Sequence, residues 1–360
     1  MGIPALCLVR AEPTRIKCIF SGFLMITDRR TSFPIFMLIV LGLARTLVAD
    51  DTQKVAEILL NRARTLSDIR SPNAPAFQLN LTFSFTGKDL NTLEGTYTEQ
   101  WISNSQWRRE TVVGNFRRIE VGGLTRRWLV DGGPDFPQDA SHISEMVAML
   151  PARTVQLEFE SITESDSKTR CAVTKSHGEK QPKHAFCFDK ASGLLVAHVA
   201  PEFLGNRFAD YSCDYGQFAV FGDYWFPREM ACFLDRHKKI GAKVVILSPA
   251  PSLDAALFRP PDGAFELGNC STTPVAPQPL TTPHPKSPQG VRDRSSSVLL
   301  WMIVDVKGVP ANLRVARSGG KQFDESALAT VRGWHFKPGT CNGEPVPAAL
   351  NLEVDFRSNR

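Results

Sequence analysis

Residues 346–356 set the tightest limit on the fold. Val346, Ala348, Leu350, Leu352, Val354 and Phe356 fall on one side of an alternation, with Asn351, Glu353 and Asp355 on the other. A period of two belongs to an extended strand with one face in a core. Residues 298–304, Val-Leu-Leu-Trp-Met-Ile-Val, form an uninterrupted apolar run rich in β-branched and aromatic side chains and read as another strand. Asp305-Val306-Lys307-Gly308 supplies a turn, with Gly308 free to take positive φ, and a short strand over 313–316 precedes Gly319-Gly320. The period then becomes helical. Asp324 is placed to cap the helix, Glu325 sits at its positive end, Phe323 and Leu328 flank the cap, and Ala327, Val331 and Trp334 recur on one stripe. Strand, strand, helix, strand over 295–360 makes a small α+β unit.

The 360 residues leave room for a second core ahead of this unit. An amphipathic helix is expected over 52–66, its stripe being Val55, Ile58, Leu59, Ala63 and Leu66. Phe77, Leu79, Leu81, Phe83 and Phe85 alternate with polar residues. Segments 93–102, 107–113, 116–121 and 127–130 continue an antiparallel meander, with Gly114-Asn115, Gly122-Gly123 and Gly132-Gly133 as turns. A short apolar helix over 143–150 and strands over 155–162, 169–174, 184–188, 194–199, 216–221 and 243–247 complete the pattern. This predicts a β-rich, strongly curved sheet or half-barrel over 50–268, with helices inside or across it.

Residues 1–49 read as an export leader. A dozen nearly unbroken apolar residues over 33–44 follow Asp28-Arg29-Arg30 and precede the small Ala49. A spanning helix needs about 20 apolar residues, so a signal cleaved near Asp50 is the first reading and a retained anchor the second. Met25 is the more ordinary start. The leader holds six basic and two acidic residues, which leaves 36 Lys+Arg against 35 Asp+Glu in the rest. A chain so nearly neutral has no electrostatic footprint for nucleic acid. Six cysteines remain beyond the leader: Cys171, Cys187, Cys213, Cys232, Cys270 and Cys341. An even count in an exported chain points to disulfides, with fifteen pairings open. Joining neighbours is the simplest arrangement, and some of the six remaining as buried thiols is the alternative. Over 269–294 the chain is a Pro-rich linker, with six prolines from Pro274 to Pro288. As polyproline II it would act as a spacer of roughly 45 Å at most.

The chain carries no Gly-x-Ser-x-Gly elbow, His-Glu-x-x-His, Cys-x-x-Cys, Gly-x-Gly-x-x-Gly or P-loop. We therefore expect no enzyme, cofactor or metal. His177 and His184 near two cysteines suit a solvated loop better than a metal site. Arg108-Arg109 and Arg117-Arg118, with Glu99, Glu110 and Glu120 to neutralise them, suit a solvated sheet face.

Five motifs in register resemble the C-terminal domain of TonB: Asp305-x-x-Gly308, Val315-x-x-Ser318, Phe323-Asp324-x-x-Ala327-Leu328, Trp334-x-Phe336-x-Pro338 and Asn342-Gly343-x-Pro345-Val346-Pro347. The family's upstream Pro-x-Tyr-Pro is Pro285-Lys286-Ser287-Pro288 here, without the tyrosine. The resemblance implies a periplasmic energy transducer that engages an outer-membrane transporter or another envelope protein. An extended partner peptide would add to the edge of the last strand, at Leu350, Asn351, Leu352, Glu353 and Val354. The preceding region resembles the LolA/LolB lipoprotein carriers through Glu99-x-Trp101, Trp107-Arg108-x-Glu110, 116–123 and Trp128-x-Val130-Asp131. That resemblance implies the alternative of a lipid or acyl-chain carrier, with Phe83, Phe85, Trp101 and Trp128 facing the ligand; as core residues of any β domain the same four need no ligand.

Overall fold

The computed structural model describes residues 5–9, 16–19, 39–86, 91–123, 125–133, 136–151, 156–176, 183–203, 208–250, 252–270, 275–286, 288 and 295–356. In chain order come β1 (Ala5–Val9), β2 (Ile16–Ile19), α1 (Ile39–Ser67), β3 (Phe77–Thr86), β4 (Thr92–Ser103), β5 (Gln106–Val113), β6 (Phe116–Gly122) and β7 (Arg126–Val130). Next are α2 (Gln138–Ser141), α3 (Ile143–Ala148), β8 (Phe159–Glu164), β9 (Thr169–Thr174), β10 (Ala185–Asp189), β11 (Leu195–Phe203), β12 (Phe208–Phe221), β13 (Tyr224–Leu234), β14 (His237–Pro249) and β15 (Phe265–Gly268). The C-terminal part holds β16 (Gln278–Thr281), β17 (Ser296–Val304), β18 (Pro310–Arg317), α4 (Lys321–Val331), β19 (His335–Lys337), β20 (Gly339–Cys341), β21 (Glu344–Val346) and β22 (Ala348–Phe356). The fold is mostly β. Its described residues fall into two compact units, one comprising 22–98 and 141–251, the other 99–140 and 252–360 with the first 21 residues.

In the first of these units the strands run in the order β3-β14-β13-β12-β11-β10-β9-β8, an open antiparallel sheet. The alternating apolar residues of β3, Phe77 to Phe85, are all buried. Helix α1 begins at Ile39, inside the leader, and buries Ala56, Leu60, Ala63 and Ser67. The predicted stripe is thus displaced: Val55 and Ile58 face solvent. Gln53 fastens the helix by accepting from Phe159 N at 2.8 Å and donating to Leu157 O at 3.0 Å. No helix among the described residues is long and apolar enough to cross a membrane. Strand β13 is absent from the sequence reading because Pro227 interrupts it. Pro227 pairs with Phe218, beside Gln217, whose φ of +52° marks a local break in β12. Cys171 is bonded to Cys187 and Cys213 to Cys232, each across directly opposed residues of neighbouring strands, with Cα atoms 4.0 and 4.1 Å apart.

The second unit stacks two sheets. One holds β15-β7-β6-β5, antiparallel throughout. The other has the order β18-β17-β22-β1-β2. Seven consecutive residues of β17, Val298 to Val304, are buried. Val298, Leu300, Met302 and Val304 join Leu350, Leu352, Val354 and Phe356 beneath Phe323, Ala327 and Val331 of α4, with Trp334 and Phe336 closing this core. Trp301 and Ile303 point the other way, onto Leu129 of β7 and Leu267 of β15.

Two local expectations change. Helix α4 starts at Lys321, after Gly320, and Asp324 lies in its first turn; its carboxylate accepts from Ser318 Oγ at 2.5 Å and from Gly319 N at 2.9 Å. The Pro-rich stretch is not a free spacer where it is described. Its β16 pairs with β19, Val275 and Thr340 exchange backbone hydrogen bonds, and Pro283 and Lys286 carbonyls accept from Trp334 Nε1 and Ser326 Oγ. Cys270 is bonded to Cys341, closing a sequence separation of 71.

Gly308 and Gly343 both have positive φ, +81° and +89°. A Cβ at Gly308 would collide with the Phe336 carbonyl, whereas one at Gly343 meets nothing within 4 Å. Gly343→Ala should therefore cost about 1 kcal/mol, the backbone term alone, and Gly308→Ala about 3 kcal/mol or more. Equal losses in urea melts would show that the collision is relieved elsewhere.

Candidate functional site

Strand β22 pairs with β17 through nine consecutive residues, Ser296↔Phe356 to Val304↔Ala348, without a bulge. The opposite margin of this sheet is different. Pairing of β18 with β17 breaks register twice, β18 opens on Pro310, and Asn312 has φ +54°. Proline, bulges and a left-handed residue are what blunts a sheet edge against further strands. The β22 margin carries none of these. Along it lies β1, parallel, with Ala5↔Leu350 through to Val9↔Val354. The five residues singled out from the sequence, Leu350 to Val354, are thus the ones paired with a segment of the expected leader.

Side chains behind this margin are fixed. Leu350, Leu352 and Val354 are fully buried under α4. Asn351 is half-buried. Glu353, which the alternation assigns to the polar face, is 1% exposed and accepts from Arg317 Nη2 at 2.5 Å. That face is covered by the β7–β15 sheet, which the local pattern of β22 cannot reveal.

The arginine-rich strands also depart from the solvated face expected of them. Arg109 is buried, donates from Nε to the buried Glu99 at 3.0 Å, and has its guanidinium 4.4 Å from the Trp107 ring. Opposite it, Glu120 accepts from Arg118 at 3.0 Å and from Arg127 at 3.4 Å. Burial alone would raise the Glu120 carboxyl; the charges of Arg118, Arg127 and Arg109 outweigh it and hold the carboxyl at about 2. Arg314 of β18 pairs with Asp131 and lies with its guanidinium 4.0 Å from the Trp301 ring. Of the four arginines singled out from the sequence, Arg117, bound to Glu110 at 2.6 Å, is the one that faces water.

Of the residues expected to face a lipid, Phe83, Phe85 and Trp101 are 2–3% exposed and Trp128 is half-buried. Phe83 and Phe85 stack with ring centres 6.0 Å apart. Their surfaces are occupied by protein. The core of the same unit as Phe83 also holds His198, stacked on Phe186 at 4.5 Å, with no hydrogen-bond partner for Nε2 among the described residues. Burial, and then the charge of His184, pushes His198 down to about 3. Nothing in the sequence marks this histidine. Among the described residues no group of three or more His, Cys, Asp or Glu could hold a metal ion; His177 lies outside them.

Residues 291–358 match the family model described as Gram-negative bacterial TonB protein C-terminal. The match embraces β17, β18, α4 and β19 to β22, the sheet and helix that frame the β22 margin. No curated protein matches the chain. Solved structures similar to it include a LolA superfamily protein from Nitrosomonas europaea, at 10% identity and TM-score 0.38, covering 57% of this chain and 97% of that one. A putative outer membrane lipoprotein-sorting protein domain from Vibrio parahaemolyticus (11%, 0.39) and a DUF1329 family protein from Desulfovibrio piger (9%, 0.38) have the same coverage. Likeness at that level carries no functional argument.

Two buried groups should divide the acid limb of the stability curve. Folded His198 stays neutral while the unfolded chain takes a proton below about 6.5, so stability falls from there toward pH 3. Folded Glu120 stays ionised while the unfolded carboxyl protonates near 4.5, so its contribution of about 3 kcal/mol is lost between there and pH 2. His198→Leu should flatten the upper segment and Glu120→Gln the lower one, in urea melts taken from pH 7 to 2. Unchanged slopes would show that other groups govern the acid limb.

Proposed function

We propose that the chain is a non-enzymatic, TonB-like protein of the cell envelope. In this reading residues 50–360 form the exported, periplasmic part, and the TonB-like unit binds an extended segment of an outer-membrane transporter or another envelope protein by strand addition at β22. The observation that carries the reading is the asymmetry of the sheet: one margin is blunted by Pro310, Asn312 and two bulges, while the other has unbroken register and accepts β1 along Leu350 to Val354. Backbone groups of an edge strand give affinity to such an addition, and pockets for alternate side chains give selectivity. With residues 1–49 removed, the margin is left for a partner. The carrier alternative would require Phe83, Phe85 and Trp101 to give up their protein contacts, so strand addition is the reading we retain.

The test uses a chain beginning at Asp50 and an extended peptide from a transporter. Binding should slow amide exchange within 348–356. Backbone N–H groups of adjacent strand residues point to opposite neighbours. One of Asn351→Pro and Leu352→Pro therefore removes an outward donor and leaves the β17 ladder whole. That variant should keep its fold and lose affinity at least roughly tenfold, the worth of about one to two hydrogen bonds. Trp334→Ala, which empties the core under α4 at a cost of about 3–5 kcal/mol, should lose the fold and the binding together. A folded proline variant at each position with undiminished affinity would place the binding elsewhere.

A further inference from the structure

Between the two sheets of the second unit, the apolar seam of Leu129, Leu267, Trp301 and Ile303 gives way to a layer of charges. Four guanidiniums, Arg109, Arg118, Arg127 and Arg314, meet three carboxylates, Glu99, Glu120 and Asp131. Arg109 is satisfied by Glu99, and both are buried. The other three are not equally served. Arg118 spends Nε and Nη2 on one oxygen of Glu120, Arg127 reaches the second oxygen only at 3.4 Å, and Arg314 gives Nη1 to Asp131.

A guanidinium has five N–H donors, so most donors of these three arginines are left without a protein acceptor among the described residues. Their side chains keep 20–23% of their surface open to solvent. The like charges also act on one another. Burial, and after it the charge of Arg118, lowers the Arg314 guanidinium to about 10, and burial followed by Arg118 and Arg109 lowers Arg127 despite Glu120. A solvated, donor-rich and acceptor-poor cluster with one cation in excess is the complement of a small oxyanion with several acceptor oxygens.

We propose that Arg118 and Arg314 form a binding site for a phosphate group at the junction of the two sheets. Ile119 opposite Val130 places Arg118 beside Asp131, the partner of Arg314. The phosphate takes the free N–H groups of Arg118 and Arg314, neutralises the excess charge and ties β6 to β18. The site is separate from the β22 margin and does not depend on strand addition there. Its ligand is either free phosphate or the phosphate of a lipid headgroup.

The experiment titrates the purified full-length chain at low ionic strength with inorganic phosphate, by calorimetry, and separately with phosphatidylglycerol and phosphatidylcholine vesicles, by co-sedimentation. Arg118→Gln should weaken binding roughly tenfold or more, the loss of a charge-assisted contact. Glu120→Gln removes the internal competitor and should tighten it, an opposite change that a poorly folded variant cannot imitate. Saturable binding of inorganic phosphate with this pair of responses supports a site for free phosphate. The same responses with phosphatidylglycerol vesicles alone support a headgroup site. Absence of saturable binding to both probes, or binding that neither substitution alters, overturns the proposal.

Discussion

Strand β17 cannot be left half-covered. Its seven consecutive buried residues present Val298, Leu300, Met302 and Val304 to α4 and Trp301 and Ile303 to the opposite side. Burying a large aliphatic or aromatic side chain is worth about 1.5–3 kcal/mol, so leaving Trp301 and Ile303 in water would forfeit a sizeable part of the stability of so small a sheet. A helix can shield only one face. The second cover must come from another part of the chain, and β7 with β15 supplies it. The burial of Glu353 goes with that second cover.

Once both faces are covered, the sheet can meet a partner only through its margins, and the two margins are unequal. The covalent tie strengthens the arrangement: Cys270 lies two residues beyond β15 and Cys341 ends β20. Closing a loop of this length contributes about 4 kcal/mol in the chain-entropy picture. The proline segment runs between these anchors against the unit, with the Trp334 indole holding the Pro283 carbonyl. Polyproline stiffness here helps a strap lie along a surface, because little conformational freedom remains to be lost.

Local pattern carried most elements and few of the contacts between them. The alternation of 77–85 and 346–356, the apolar run of 298–304 and the turn at Gly308 each state their secondary structure directly, because period and turn chemistry are properties of neighbouring residues. The five TonB-like motifs are legible for the same reason. What stayed hidden depends on residues far apart in sequence. Glu99, Arg109, Glu120 and Glu353 look like surface residues of amphipathic strands, and they are buried by packing that the local pattern does not state. Strand β13 was masked by Pro227, which by itself argues against a strand and is accommodated only through the break beside Gln217. The 52–66 stripe was misplaced because α1 is longer than its polar part suggests, and its buried line passes through the small Ala56 and Ala63 instead of Ile58.

The charged layer explains why the two covers of β17 differ in kind. Beneath α4 the contact is apolar, and many neighbouring registers of a helix on a sheet would bury similar area. Sheet on sheet, the Arg314–Asp131 pair and the stacking of Arg314 on Trp301 fix one alignment, since a shift by a strand or by two residues would strand a guanidinium away from its carboxylate. Buried charge networks add little net stability, because desolvation offsets attraction. Misalignment is penalised far more heavily, because it leaves a charge unpaired. A sheet aligned in this way already holds β22 in a single register before any partner arrives. In the strand addition proposed above, the ordering cost then falls on the incoming peptide alone. A freely jointed domain at the end of a spacer would share that cost, and the strapped, doubly covered unit does not.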